Sequence, residues 1–225
     1  MFPINLHLAG RKVLILGAGQ VGRRKLAKLL RAGALVTVVE KSPDQELTAL
    51  AREGFLELSP NFRPELLEGA ELMLAASSDA ALNQEAAALA RSRGIWVNLA
   101  DCPELSDFTL PALVEQGDFL LAVSTGGGSP ALAAAVAVEL RQRYGPEYGL
   151  LSSLLGRLRP QIMASDLTAG QRKAVFSRLA ASEELRQALA AGAGEKILPV
   201  LEELLKPLRP ARLPELIGNL DSVNK

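Results

Sequence analysis

A chain of 225 residues with 48% apolar and 22% charged side chains has room for one large or two small domains and can bury a substantial core. Its 25 basic and 25 acidic side chains cancel to zero net charge, so no whole-chain electrostatic case for nucleic acid exists. A single cysteine, Cys102, excludes an intramolecular disulfide and a zinc-type cysteine cluster. No apolar stretch approaches the roughly 20 residues of a bilayer span. The N-terminal MFPINLHLAGRKV also lacks a basic segment followed by an apolar run, so a cytoplasmic, non-membrane protein is expected.

Residues 1–11 read as a lead-in, with Asn5 to Leu8 expected as an edge strand or lid; His7, the only histidine, reads as a surface or packing residue. Lys12 to Leu16 is a short apolar run of β-formers. Gly17, Gly19 and Gly22 follow at G-x-G-x-x-G spacing, where the period changes from strand to helix. In such a turn the first glycine permits the tight bend, the second admits a pyrophosphate, and the third lets helix and strand pack closely. The unpaired N–H groups and positive dipole end of the helix face the phosphates. Val21, Leu26, Leu29 and Leu30 continue at helical spacing, Gly33 ends the helix, and Leu35 to Val39 form a second strand. Glu40, at the end of that strand, can accept hydrogen bonds from an adenosine ribose and would repel a 2′-phosphate, which favours NAD over NADP. The plainer alternative is an α/β unit without nucleotide, with Glu40 merely solvated.

Asp44 to Gly54 reads as a short helix, Phe55 to Leu58 as a weak strand and Arg63 to Gly69 as a helical turn. A second α/β repeat follows: strand Glu71 to Ala76, capping residues Ser77, Ser78 and Asp79, helix Asp79 to Arg93, Gly94, and strand Ile95 to Ala100. This order predicts an α/β fold with a doubly wound parallel sheet whose ligands lie beyond the carboxyl ends of the strands. Gly17 to Gly22, Ala76 to Ser78 and Asn98 to Asp101 then share one rim. A carboxylate at Asp101 is placed either to take a proton from a substrate being oxidised or simply to cap the turn before Pro103.

The pattern changes after Pro103. Phe108 to Val114 and Phe119 to Ser124 are apolar runs around Glu115-Gln116-Gly117-Asp118, an expected antiparallel hairpin. Thr125 to Gly128 form a second glycine-rich turn leading to Ser129-Pro130, an N-cap with proline at the first helical position of Ala131 to Arg143. Such a turn suits anionic groups or serves as a flexible joint. Helices are then expected over Glu147 to Leu158, Gln171 to Ala181, Glu183 to Ala191 and Lys196 to Leu205, separated by Pro160, Ser182 and Gly192 to Gly194, with a partly ordered tail after Pro207. Arg157, Arg159, Lys173 and Arg178 lie on these helices, where solvated faces are the plainer account beside a site for an acidic substrate.

Three stretches together, FPINLHLAGRKVLILGAGQVGRRKLAKLLRAGALVTVVE, AASSDAALNQEAAALARSRGIWVNLAD and FTLPALVEQGDFLLAVSTGGGSPALAAAVAVELR, resemble the siroheme-synthase family of precorrin-2 dehydrogenases and bifunctional dehydrogenase/ferrochelatases. The resemblance covers Met1 to about Ile162. It implies an NAD-binding Rossmann domain over 1–112, a dimerisation segment over 113–146 and a helical domain over 147–225. The implied activity is NAD-dependent oxidation of precorrin-2 to sirohydrochlorin by a homodimer, either alone or with insertion of Fe2+. With one histidine and one cysteine, no protein-based iron site is readable. A non-catalytic NAD-sensing or regulatory module is the rival from another class.

By this resemblance Asp101 is the general base, also implicated in metal insertion, and Thr125 falls where some members carry a serine that can be phosphorylated. The expected cofactor contacts are Gly17, Ala18, Gly19, Gln20, Val21, Gly22, Glu40, Ser77 and Ser78; the expected substrate contacts are Asn98, Ser124, Thr125, Gly126, Gly127 and Ser129. Relatives often carry a third early glycine and a final alanine where this chain has Ala18 and Gly22, a change between small residues. With the sequence stopping at residue 225, the methyltransferase domain fused to some relatives is expected to be absent and precorrin-2 to come from a separate protein.

Overall fold

Short runs of β-branched and aliphatic residues build β1 (Lys12–Leu16), β2 (Leu35–Val39), β3 (Leu56–Ser59), β4 (Ala70–Ala75) and β5 (Trp96–Leu99) in the computed structural model, which describes residues 1–192, 194–206 and 208. All four pairings are parallel, in the order β3-β2-β1-β4-β5. Helices α1 (Gln20–Arg31), α2 (Gln45–Arg52) and α3 (Ala80–Ser92) supply the crossovers. Side chains alternate across the strands: Val13 and Ile15 join Leu26, Leu29 and Leu47 in one core. Leu14 and Leu16 join Leu67, Ala86, Ala87 and Ala90 in the other. Burial on both faces is why these strands read as unbroken apolar runs instead of alternating ones. Each large buried side chain contributes about 1.5–3 kcal/mol. The Asp44 and Asp79 carboxylates accept the N–H groups of Leu47 and Leu82 and start α2 and α3.

Of the edge strand or lid expected at Asn5 to Leu8, the strand does not form: residues 1–8 have no regular structure, and β3 and β5 are the sheet edges. The open edge of β5 is taken locally instead. Val97 donates to the Asp107 carboxylate at 2.8 Å and Leu99 to the Ser106 hydroxyl at 2.9 Å, while the Asp107 N–H donates back to the Val97 carbonyl. These side chains mimic a neighbouring strand and close a surface that would otherwise invite pairing.

The chain divides between Leu110 and Pro111. Phe108, expected to open the hairpin, packs instead against the core of the first unit, and its carbonyl accepts a hydrogen bond from Asn98, so the hairpin strand starts later. In the second unit β6 (Ala112–Gln116) and β7 (Phe119–Val123) pair antiparallel. They are followed by α4 (Pro130–Arg143), α5 (Pro146–Met163), α6 (Ala169–Ala181), α7 (Glu183–Ala190) and α8 (Gly194–Leu204). Helix α5 meets the hairpin at Gly149, where a Cβ would stand 2.3 Å from the Gln116 carbonyl oxygen. Phe119, Tyr144 and Tyr148 cluster beside this contact with ring centroids 4.9–5.9 Å apart.

Helix α5 does not stop before Pro160 as expected but runs through it. Interior proline costs about 3 kcal/mol, yet Leu158 and Ile162, on either side of Pro160, are fully buried with Leu154, Leu179, Leu185 and Leu201. Burial of that pair offsets the lost hydrogen bond, and Pro160 itself lies exposed. The tail expected to be partly ordered lies, beyond Leu208, outside the described residues. Truncating Leu158 to alanine is expected to lower unfolding free energy by about 2–5 kcal/mol in chemical denaturation, because it leaves a cavity in the helical core.

Candidate functional site

The glycine turn lies between β1 and α1, at the point where the sheet order reverses between β1 and β4. Its three glycines have separable reasons. Gly17 has φ +85°, and a Cβ there would come within 2.5 Å of the Ser77 Cα. At Gly22 a Cβ would stand 2.1 Å from the Gly17 carbonyl oxygen, so only glycine lets α1 begin against the turn. Gly19 has an ordinary φ of −66°, and a Cβ would meet nothing within 4 Å. No protein contact or backbone strain therefore explains Gly19; the open space there leaves room for an external group at the N-terminus of α1. No side chain caps that N-terminus, which leaves its N–H groups facing outward. These features fit the pyrophosphate of a dinucleotide.

Glu40, half-buried at the end of β2, accepts the Ala18 N–H at 2.9 Å and the Ser42 N–H at 3.3 Å. A carboxylate has further lone pairs for a ribose hydroxyl, and its charge at the turn opposes a 2′-phosphate. The nearby cation Arg23 is already paired: it binds the Ala18 carbonyl, Asp44 at 2.6 Å and Glu46 at 3.0 Å. Arg23 and the backbone N–H of Leu47 hold the exposed Asp44 carboxyl below its ordinary range, the backbone bond being the larger cause. Gln20 and Val21 open α1, both exposed.

After β4, the Ser77 hydroxyl bonds the fully buried Asn83 side chain at 2.7 Å, and Asn83 returns a bond to the Ser77 carbonyl. This exchange fixes the loop against which Gly17 packs; Ser78 is exposed beside it. After β5, Asp101 is exposed at the same rim. Asn98 is 8% exposed, and its amide is engaged inside the protein. Its oxygen accepts from Lys25 Nζ at 2.6 Å and its NH2 donates to the Phe108 carbonyl at 2.8 Å. One lone pair and one N–H remain for any ligand. Beside Asp101, the Cys102 thiol hydrogen-bonds Glu104, which with burial and the Asp101 charge pushes it up, so it stays a thiol.

The second glycine turn belongs to the other unit. Gly126 and Gly127 take φ +68° and +89°, and the Thr125 hydroxyl accepts the Ser129 N–H and donates to the Ser129 carbonyl, both at 3.0 Å. Ser124 accepts the Gly126 N–H, and the Ser129 hydroxyl caps α4 at Leu132. The turn is thus braced by its own hydroxyls. Among the described residues no group of three or more His, Cys, Asp or Glu could hold a metal ion, and no helix is long and apolar enough to cross a membrane.

Sequence reasoning passed over Lys25, Arg23 and Asn83 as site-shaping residues. Lys25 had a readable signal: it falls on the stripe Gly22, Leu26 and Leu29 that α1 buries, where a charged residue is out of pattern.

A parallel sheet with a glycine turn at its switch point and an acidic residue closing β2 defines a Rossmann-type dinucleotide-binding protein. An NAD(P)-binding family model matches residues 4–112. Curated siroheme synthases align over most of the chain. That of Methylococcus capsulatus is 36% identical over 213 residues, covering 93% of this chain and 45% of its own. Those of Nitrosomonas eutropha and Citrobacter koseri are 39% and 33% identical, over 72% and 90% of this chain and 34% and 45% of their own. A solved structure of SirC, precorrin-2 dehydrogenase, superposes with a TM-score of 0.72 at 24% identity, covering 90% of this chain and all of that one, and so shares the fold. This chain is homologous to siroheme synthases over most of its own length and spans less than half the length of these curated relatives.

Two glycine variants separate packing from ligand binding. Gly19→Ala is expected to keep its melting temperature within about 3 °C while weakening NAD binding about ten-fold or more in calorimetric titration. Gly22→Ala is expected to melt lower whether or not NAD is added, because its Cβ meets backbone.

Proposed function

We propose that the protein is a precorrin-2 dehydrogenase: it removes a hydride and a proton from precorrin-2, giving sirohydrochlorin, NADH and H+. The observation that carries this reading is the shared rim, where Gly19 leaves room for a dinucleotide after β1 and Asp101 presents a carboxylate after β5, two strands away in the sheet. The family and the name of its structural neighbour indicate the substrate.

Bound NAD+ supplies the hydride acceptor. The turn Gly17 to Gly22 holds its pyrophosphate through backbone N–H groups, and Glu40 takes the adenosine ribose. Asp101 accepts the proton lost as the macrocycle is oxidised, a transfer a carboxylate at the strand end can make directly or through one water. Ser77 and Ser78 line the cofactor side. Asn98 lies on the substrate side of the same rim; in the second unit, taken by itself, the turn of Ser124, Thr125, Gly126, Gly127 and Ser129 offers hydroxyl and backbone donors suited to carboxylates.

In the same reading the enzyme is a cytoplasmic homodimer. The hairpin and α4, within 113–146, leave Leu120, Leu132 and Val138 about half exposed at 43%, 55% and 51%. A two-stranded hairpin is marginal without further cover, and a second copy would provide it.

NADH formation from precorrin-2 tests the chemistry. Asp101→Ala is expected to lose about 100-fold or more in kcat with NAD affinity unchanged; full turnover would remove Asp101 from the mechanism. Sirohydrochlorin with Fe2+, followed by absorbance, gives only the spontaneous rate if the enzyme stops at dehydrogenation. For assembly, sedimentation equilibrium is expected to give twice the chain mass for wild type and one chain mass for Leu120→Asp/Val138→Asp.

A further inference from the structure

Lys25 is the one cation on the buried stripe of α1, between the close contact at Gly22 and the buried Leu29. A lysine there is half-buried, and an apolar residue would fill the stripe with no charge to desolvate. Nor does its long stem carry the ammonium out to water, as surface lysines do. The ammonium turns instead toward the end of β5, donating to Asn98 Oδ1 at 2.6 Å.

Asn98 cannot rotate away from this role. Its NH2 group donates to the Phe108 carbonyl at 2.8 Å, which leaves the amide oxygen directed at Lys25 and settles which end of the amide is which. The charged groups acting on the ammonium are Asp101, three residues beyond Asn98 in the loop after β5, and Arg24 on its own helix. Asp101 attracts it and Arg24 repels it. Two of the three ammonium N–H groups remain beyond the Asn98 bond.

We propose that Lys25 is a positioning residue of the reaction: its ammonium, anchored on Asn98, sets a fixed positive charge at the end of β5, beside the loop that carries Asp101, as substrate binding excludes water. The inference rests on the reading of Asp101 as the base. It goes beyond that reading by making α1, the cofactor helix, also the source of a fixed charge beside the base. Loss of water on substrate binding strengthens the effect, since the attraction between two nearby charges grows when water leaves.

A pH signature follows. Burial, the larger cause, pulls the Lys25 ammonium below the ordinary lysine range, Asp101 opposes this, and Arg24 adds to it. The ammonium is present below that lowered value and is lost as pH rises through it. Activity that depends on its charge therefore falls on the alkaline side earlier than a solvated lysine would dictate. Arginine stays charged throughout this range.

The test uses the full chain with NAD+ and precorrin-2, measuring kcat and KM across pH, NAD affinity and melting temperature for Lys25→Met, Lys25→Arg and Asp101→Asn. Lys25→Met is expected to lower kcat about ten-fold or more, with NAD affinity preserved and the melting temperature within about 3 °C of wild type. Lys25→Arg is expected to retain most of kcat and to move the alkaline loss of activity to higher pH. An inactive Asp101→Asn together with an unimpaired Lys25→Met, or an alkaline limb that Lys25→Arg leaves in place, overturns the role of Lys25 alone. A fully active Asp101→Asn overturns the reading of Asp101 and this inference with it. Should Lys25→Met fail to fold, the alkaline limb of Lys25→Arg decides.

Discussion

The contact between Gly22 and the Gly17 carbonyl is the constraint on which the rest of the first unit depends. A Cβ at residue 22 would lie 2.1 Å from that oxygen, closer than any real packing distance, so the helix can start where it does only because the residue is glycine. That approach aims the uncapped N-terminus of α1 across the rim, beside the loop after β4. It also sets the height at which every later residue of α1 meets the sheet. Lys25 reaches Asn98 because α1 is held this close; a helix displaced by one methyl group would carry the ammonium away from its 2.6 Å partner.

Three consecutive cations on α1 illustrate what the helical rotation of about 100° per residue does with like charges. Arg23 turns toward the start of α2, where it joins Asp44 and Glu46 to the Ala18 carbonyl and ties the second crossover to the glycine turn. Arg24 is exposed. Lys25 turns inward to β5. The exposed pairs of Arg23 contribute little stability, but they occupy the cation nearest the turn, while Glu40 accepts the Ala18 and Ser42 N–H groups. The polarity of the rim is thus arranged by direction more than by composition, in a chain whose net charge is zero.

The second unit rests on a different principle. Its helices bury a leucine core centred on Leu154, Leu158, Leu179 and Leu201, and this core is strong enough to carry α5 through Pro160. The hairpin joins it through the glycine contact at Gly149, the aromatic cluster of Phe119, Tyr144 and Tyr148, and the bond from the Gln116 amide to the Tyr144 carbonyl. Its outward leucines are left for an external surface.

What the sequence by itself determined was everything governed by local rules. Short unbroken apolar runs and period-3.6 patterns located the five parallel strands and nearly every helix, since burial of one face or both leaves a mark on composition. The glycine spacing marked the turn, because the backbone conformation at Gly17 and the close approach at Gly22 admit no other residue easily. Three things escaped it. The β5 edge is satisfied by the Ser106 and Asp107 side chains, seven and ten residues beyond Leu99 and Val97, a pairing that no periodicity records. The helix break expected at Pro160 is overridden by burial of Leu158 and Ile162, a tertiary energy larger than the local penalty. The partnership of Lys25 with Asn98 joins residues 73 apart in sequence, and only the fold decides it, because the direction of a side chain from a helix has meaning only once the strand it faces is in place.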